Sequence, residues 1–204
     1  DENWFKIYLW DFLYYQEHLP HAEKLPDGFD LRHLTALYYG LTTWVDDTVG
    51  RLMANLEAHG LAEDTIVVFA SDHGDNLGSH HAFNKGLLIE ESIRVPLIFW
   101  GGLAPQANTA QVAQLIDIMP TLLDQCGAEV PNTVQGRALG PILRGERETL
   151  DKNGAFIETS QGAIGLRTPD HLYGMQLEKD LRTISDDGKC LYDLNADPYE
   201  LHNL

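Results

Sequence analysis

The stretch TIVVFASDHGDNLGSHHAFNKG, residues 65–86, decides how we interpret the rest of the sequence. Its first six residues are apolar or β-branched at consecutive positions, which favours a strand buried on both faces, as in a parallel sheet. A dense group of aspartates, histidines and glycines follows, with a lysine near its end. Because ligands bind beyond the carboxyl ends of strands in open parallel sheets, this group lies where a functional site is expected.

The composition is that of a water-soluble globular protein with one ordinary domain. The chain has 204 residues, of which 44% are hydrophobic and 22% charged, and no apolar run is long enough to span a bilayer. A formal net charge of −17 argues against nucleic acid as a partner, because such binding depends on phosphate neutralisation by Lys and Arg. The first residues have no features of a signal peptide, and without an initiator Met we expect a processed chain or part of a longer one. The two cysteines, Cys126 and Cys190, lack metal-type spacing and are expected to be unpaired.

A long amphipathic helix precedes the opening stretch. From Leu31 onward, leucines and valines recur at spacings of three and four residues, which is the period of one helix face. Asp30 is expected to cap the start of this helix. Gly60 is expected just beyond its end, where a positive φ is favourable.

A second strand and a second helix are predicted downstream. VPLIFW, residues 95–100, has the composition of a strand. The next helix begins with Asp117 as N-cap, so that Pro120 falls in the first turn, where its missing N–H is not needed, and Gly127 ends the helix. Residues 112–116 are then expected to be extended.

The last quarter of the chain has a different pattern. Four short runs of strand-forming residues, AFIET, AIGLRT, HLYGMQLE and KCLYDL, are separated by turn residues and predict an antiparallel meander. We therefore predict an α/β block over residues 31–149 and a small α+β subdomain with an antiparallel sheet over 150–204. Residues 1–30 are predicted to be an irregular segment.

Asp72 and His73 are the first candidates for a metal site. In a regular strand they would point to opposite faces, so they can share one ion only if the chain turns, which Gly74 permits. A carboxylate oxygen beside an imidazole nitrogen suits a divalent cation. From spacing alone, a loop in which Asp72 caps a turn and His73 is satisfied structurally remains an open alternative.

The remaining polar residues also have structural interpretations. Lys85 is either a solvated side chain or a contact for a bound anion, and His80 and His81 are either further ligands or a surface pair. A mixed Asp/His site with a nearby lysine would suit a tetrahedral oxyanion, because metal and ammonium together neutralise its oxygens. Turn formation or solvation can account for the other candidates, which are Asp46, Asp47, Asp75 and Asn76.

Several motifs resemble the type I sulfatases of the alkaline phosphatase superfamily, in that family's order. They are SDHGDNLGSH with NKG and EESIRVPLIFW, the helix LTTWVDDTVGRLMANLEAHGLAEDT before them, and QLIDIMPTLLDQCG, VQGRALGPILRG and LYDLNADPYELHNL after them. The resemblance covers about residues 31–204. It implies part of an alkaline-phosphatase-like sheet with flanking helices, followed by the small antiparallel subdomain.

The resemblance also implies roles for individual residues. Asp72 and His73 match the pair that binds the active-site divalent cation, usually Ca²⁺, and Lys85 matches the lysine that contacts the sulfate group. His80 matches a recurrent histidine beside the metal or in the substrate pocket, although Ser79 stands where an acid is common. Lys85 and His80 are thus the catalytic and substrate-binding candidates, and Asp72 and His73 the metal ligands.

The nucleophile that the resemblance implies is not found in this chain. The family makes a formylglycine from the first residue of a C-x-P-x-R-type motif, and neither Cys126 nor Cys190 stands in such a context. The aspartate pair that completes the metal shell in the family is also missing. The resemblance therefore implies the C-terminal half of a protein that hydrolyses sulfate esters of a small molecule or glycan, with the missing N-terminal half as partner and no activity in the 204 residues alone.

Two alternatives remain open at this point. One is a phosphonate monoester or phosphodiester hydrolase of the same superfamily, and the other is a truncated, non-catalytic module. Substrate identity, localisation and oligomeric state do not follow from the sequence.

Overall fold

The computed structural model describes residues 30–101, 109–159, 162–178 and 180–204. The irregular segment predicted for residues 1–30 therefore lies outside the described residues, apart from Asp30. The chain forms two compact units. Of the described residues, the first unit contains 30–66 and 73–85, and the second contains 67–72 and those from 86 onward.

The first unit is built on helix α1, Leu31–Ala58, and both of its predicted ends are confirmed. The Asp30 carboxylate accepts a hydrogen bond from the Arg32 backbone N–H at 3.0 Å, so it satisfies one of the unpaired donors of the first turn. Gly60 follows the helix with φ of +65°, the left-handed conformation that a Cβ disfavours. The buried residues of α1 are Leu34 and Leu37, both in its first two turns.

In the second unit, strand β1, Val67–Ala70, pairs with β2, Leu97–Trp100, and a short helix α2, Glu90–Ile93, lies between them in sequence. The strands are antiparallel, with Val67 opposite Trp100 and Ala70 opposite Leu97. The parallel arrangement expected for β1 is thus wrong for this pair. A run of apolar residues indicates that both faces of a strand are covered, but it contains no information about the direction of the neighbouring strand.

Helix α3, Ile118–Gln125, begins where the sequence predicted, but Asp117 does not cap it with its side chain. The last two residues of the segment predicted to be extended, 115 and 116, lie instead in a 3-10 turn, Leu115–Asp117. Pro120 lies in the first turn of α3, and Gly127 follows the helix with φ of +67°, as predicted. A further short helix, α4, spans Gly140–Leu143.

The Asp117 carboxylate is fully buried and pairs with an arginine twenty residues later in the sequence. Its Oδ1 accepts the Arg137 backbone N–H at 2.7 Å, and its Oδ2 accepts the Arg137 guanidinium at 2.8 Å and the Gln114 N–H at 3.0 Å. The guanidinium also donates to the carbonyl oxygens of Val112 and Lys152. This ion pair therefore ties the start of α3 to three other segments of the second unit.

The predicted antiparallel meander is confirmed as a four-stranded sheet in the order β3-β4-β5-β6. Its strands are β3, Ala155–Glu158; β4, Ala163–Arg167; β5, His171–Leu177; and β6, Ile184–Asp193. All three pairings are antiparallel between sequence neighbours, which is the simplest connection for strands joined by short turns.

One face of this sheet, which we call the inner face, is covered by the segment before α2. Gly165 and Gly174 lie opposite each other on β4 and β5, and the side chain of Leu88 fills the space above them. A Cβ added at either glycine would come within 2.5 Å of Leu88. Leu172 and Ala163 complete the buried cluster around Leu88.

Two further expectations concern the cysteines and the membrane. Cys126 and Cys190 are both free, as predicted. Among the described residues, no helix combines the length and apolarity required to cross a bilayer.

Candidate active site

The polar loop begins directly after β1 and returns to the second unit at Gly86. Asp72, the last residue before the loop enters the first unit, is exposed and belongs to the second unit. His73, His80 and Lys85 all belong to the first unit, where His80 and Lys85 are exposed and His73 is partly buried. Three of the four predicted site residues are thus carried by one loop of 13 residues, 73–85.

The His73 ring is oriented by its own backbone neighbour. Its Nδ1 lies 2.8 Å from the carbonyl oxygen of Gly74. A carbonyl oxygen can only accept, so this contact places a proton on Nδ1, and in the neutral ring Nε2 is then the nitrogen suited to bind a metal. Metal-binding histidines usually show this arrangement, in which one ring nitrogen donates to an oxygen and the other binds the metal. The orientation of the neutral His73 ring is therefore the one that a metal-binding histidine has.

Backbone hydrogen bonds close the loop on itself. The Asn76 N–H donates to the Asn84 carbonyl at 2.7 Å, and the Gly78 N–H donates to the Ala82 carbonyl at 2.8 Å. The Asp75 carboxylate accepts the Leu77 N–H at 2.9 Å, so Asp75 is a turn residue, as the structural interpretation proposed.

The loop contains several residues in a conformation that side chains disfavour. Leu77, His80, His81 and Asn84 have φ values of 46°, 53°, 57° and 68°. Each such residue costs on the order of 1 kcal/mol, and conformations of this kind concentrate at functional sites. His80 lies in the 3-10 turn Ser79–His81 and is exposed.

Two apolar residues attach the loop to α1. Phe83 is 4% exposed and packs with Leu34, and Leu77 and Leu31 lie around this pair. Gly78, with φ of +95°, lies so close to the Leu31 side chain that a Cβ would be 2.9 Å from it. Phe83 is two residues before Lys85, so its burial fixes the backbone that carries the lysine. The sequence analysis did not predict that Phe83 is buried. Ala82 and Phe83 are consecutive apolar residues inside a polar loop, and this pattern could have indicated it.

Asn76 is the buried polar residue of this loop. Its side chain is 1% exposed, and neither Nδ2 nor Oδ1 has a hydrogen-bond partner in the described part of the chain. Burial without partners costs about 1–3 kcal/mol, so Asn76 lowers the stability of the loop that carries the candidate residues.

A charged cluster in the second unit was also missed by sequence reasoning. The Glu90 carboxylate receives two hydrogen bonds from the Arg167 guanidinium, both at 3.1 Å, and its backbone N–H donates to Glu200 at 2.9 Å. Glu200 is 2% exposed, and its other oxygen has no partner among the described residues. Burial, assisted by the nearby carboxylates of Glu90 and Glu91, raises the pKa of Glu200 to about 7. The cluster joins α2, β4 and the C-terminal segment.

Comparison with known proteins places these features in a family. The sequence model described as "Sulfatase" matches residues 11–128, and the one described as "N-sulphoglucosamine sulphohydrolase, C-terminal" matches residues 78–204. The chain is 31% identical to the multifunctional alkaline phosphatase superfamily protein PehA of Trinickia caryophylli, over 87% of this chain and 37% of that protein. It is 33% identical to an arylsulfatase of Clostridium perfringens, over 85% of this chain and 36% of the relative.

Solved structures agree with this assignment. A putative sulfatase, yidJ, from Bacteroides fragilis superposes with a TM-score of 0.76 at 30% identity, covering 92% of this chain and 41% of that one. A phosphonate monoester hydrolase of Agrobacterium radiobacter gives a TM-score of 0.70 at 27% identity, covering 85% and 37%. The chain thus spans little more than a third of the length of the two relatives named above. With both family models matching more than half of its residues, the chain belongs to the sulfatase family, within the alkaline phosphatase superfamily.

Proposed function

We propose that the protein containing this chain hydrolyses sulfate esters and that residues 72–85 supply part of its active site. Family membership supports the reaction class. The observation that carries the assignment of the site is the hydrogen bond from His73 Nδ1 to Gly74, which prepares Nε2 as a ligand beside Asp72. The nucleophile, a formylglycine in the proposal, would come from the part of the protein that precedes this chain.

In this proposal Asp72 and His73 hold a divalent cation, with Ca²⁺ as the expected metal. When bound, the cation supplies positive charge and Lewis acidity toward an oxygen of the sulfuryl group. Such local charge is needed because a chain with a net charge of −17 otherwise repels an anionic substrate.

Lys85 and His80 are the proposed substrate contacts. The Lys85 ammonium would stabilise charge on the sulfuryl oxygens as the ester bond breaks, and the buried Phe83 two residues earlier holds its backbone in place. His80, exposed on the loop, would contact the ester or its leaving group.

The test is turnover of an aryl sulfate by the complete protein and its variants. Lys85→Ala should lower kcat by about 10²-fold or more, because it removes one preorganised charge at the reacting group. Lys152→Ala, an exposed lysine outside the loop, is the matched control and should leave turnover unchanged. Equal activity of the two variants would refute the assigned role of Lys85.

The competing reaction is hydrolysis of phosphonate monoesters or phosphodiesters. The structural similarity to a phosphonate monoester hydrolase supports this second reaction as a candidate. Rates on an aryl sulfate and an aryl phosphodiester, measured on the same preparation, separate the two, because the transferred groups differ by one charge. A higher kcat/KM for the phosphodiester would assign the protein to the second reaction.

The non-catalytic alternative has a separate test. Calcium titration of the complete protein, followed by calorimetry, should show one site that Asp72→Asn weakens at least about tenfold, since a ligand charge is lost. Asp75→Asn is the control, because Asp75 caps a turn in the loop. Two observations together would support a non-catalytic binding module: no calcium site, and no nucleophile motif encoded upstream of this chain in its gene.

A further inference from the structure

The outer face of the four-stranded sheet, opposite the face that Leu88 covers, has a continuous apolar row. Phe156, Leu166, Tyr173 and Leu191 lie directly opposite one another across the four strands. Each of them is exposed, by 58%, 47%, 39% and 37% respectively. Isolated exposed apolar residues are normal, but one on every strand in a single register is a contiguous patch.

The next row of the same face has opposite charges at its two ends. Glu158 on β3 is followed across the sheet by Ile164 and Met175, and Lys189 on β6 completes the row. Glu158 and Lys189 are both exposed. The outer face therefore has an apolar centre, a negative corner on one edge strand and a positive corner on the other.

We infer that this outer face associates with the same face of a second copy of the chain. Two sheets pack face to face about 10 Å apart with their strands nearly aligned. A two-fold axis that runs along the strands would place β3 over the partner's β6 and the two apolar rows over each other. The same operation brings Glu158 of each copy against the second copy's lysine at position 189, so both charged corners meet their opposites.

The size of the patch sets the strength of this association. Four strands about 4.8 Å apart and about five residues at about 3.3 Å each present roughly 300 Å² of flat face per copy. Stable dimers bury about 800 Å² per partner, so this contact belongs to the weak, reversible class. The inference concerns a surface that the proposed function does not use.

The first experiment is sedimentation velocity of the chain over a range of concentrations. We expect a monomer–dimer equilibrium, which Leu166→Asp weakens by at least about tenfold, because the substitution occurs twice in a symmetric dimer and buries a charge. Leu61→Asp changes a leucine of similar exposure, 53%, away from the sheet and should leave the equilibrium unchanged. Circular dichroism verifies that each variant is folded.

A charge exchange tests the orientation of the two copies. Glu158→Lys and Lys189→Glu should each weaken self-association, since each variant places like charges together at both corners. An equimolar mixture of the two variants should associate more tightly than either alone, because the mixed dimer restores both opposite-charge contacts. A chain that is monomeric at every concentration, or a mixture no tighter than its components, would overturn the inference, and the sheet face would then be free for the remainder of a longer protein.

Discussion

Replacing Glu200 by glutamine is expected to stabilise the protein at alkaline pH and to have little effect at acidic pH. The carboxyl of Glu200 is 2% exposed, accepts one hydrogen bond from the Glu90 N–H, and has a second oxygen without a partner among the described residues. Glutamine has nearly the same shape and can accept the same hydrogen bond. The substitution therefore removes the ionisable group with little change in packing.

The magnitude follows from the pKa of Glu200, which burial raises from 4.5 to about 7. The nearby carboxylates of Glu90 and Glu91 raise it further, whereas the Glu90 N–H and the Arg167 guanidinium lower it. A pKa higher in the folded than in the unfolded state means that the folded state binds the proton more tightly. The resulting stabilisation is complete below about pH 4.5 and is lost as the pH rises through about 7. A difference of about 2.5 units corresponds to about 3 kcal/mol in the free energy of unfolding.

The assay is urea unfolding of the wild type and of Glu200→Gln at several values between about pH 4 and about pH 8. The variant should match the wild type near the acidic end and exceed it by about 3 kcal/mol near the alkaline end. Glu129→Gln, which changes an exposed glutamate, is the control and should give a small difference that does not vary with pH.

A difference between Glu200→Gln and the wild type that stays constant across this range would refute the reasoning. It would mean that Glu200 is ionised throughout and that the Arg167 and Glu90 N–H contacts compensate fully for its burial. Destabilisation by the variant at alkaline pH would lead to the same conclusion.

Three further experiments test other parts of the structure by the same unfolding assay. Asn76→Leu should stabilise by about 1–2 kcal/mol, because an unpartnered buried amide is replaced by an apolar side chain of similar size; a loss of stability would show that the amide has a partner. Arg137→Ala should destabilise by about 3 kcal/mol, since it removes the charged partner of the fully buried Asp117; a change below about 1 kcal/mol would contradict that. Gly174→Ala should destabilise by about 1–3 kcal/mol, because the added Cβ overlaps with the Leu88 side chain. Leu88→Ala should partly relieve this overlap, so the double variant should lose less stability than the sum of the two single variants. Strict additivity of the two losses in the free energy of unfolding would refute this contact.

Local signals explain which elements the sequence could predict. Helix α1 has a capping aspartate, a period of three to four and a terminal glycine, and each of these signals acts on the few residues next to it. The meander is likewise defined by short strands and the turns between them. The position and side-chain chemistry of Asp72, His73, His80 and Lys85 made them candidates with open alternatives, the resemblance of their motif to the sulfatases gave them roles, and those roles stay predictions.

Contacts between distant segments explain what the sequence could not predict. Asp117 in front of a helix is a normal N-cap, and its true partner, Arg137, is twenty residues away. Glu200 lies in a polar C-terminal segment where composition predicts exposure, yet it is among the most buried side chains in the second unit. The antiparallel pairing of β1 with β2 depends on a neighbour that the apolar pattern of β1 does not specify.

The segment that starts at Gly86 follows the candidate residue Lys85 in sequence and makes contacts with distant parts of the second unit. Gly86 donates its N–H to the Ser92 hydroxyl at 3.2 Å, and two residues later Leu88 occupies the hollow above Gly165 and Gly174. The hollow above Gly165 and Gly174 therefore holds Leu88, which is three residues after Lys85 in sequence.

This attachment gives the small antiparallel sheet a role without any chemistry of its own. Within the second unit, the segment that follows Lys85 in sequence is fastened to the sheet through Leu88. Substitutions that loosen the sheet, such as Gly174→Ala, should consequently displace Lys85 and lower the turnover of the complete protein. In a Lys85→Ala background the same substitutions should lower turnover only slightly. A sheet that only stabilised the fold would give the same loss of activity in both backgrounds.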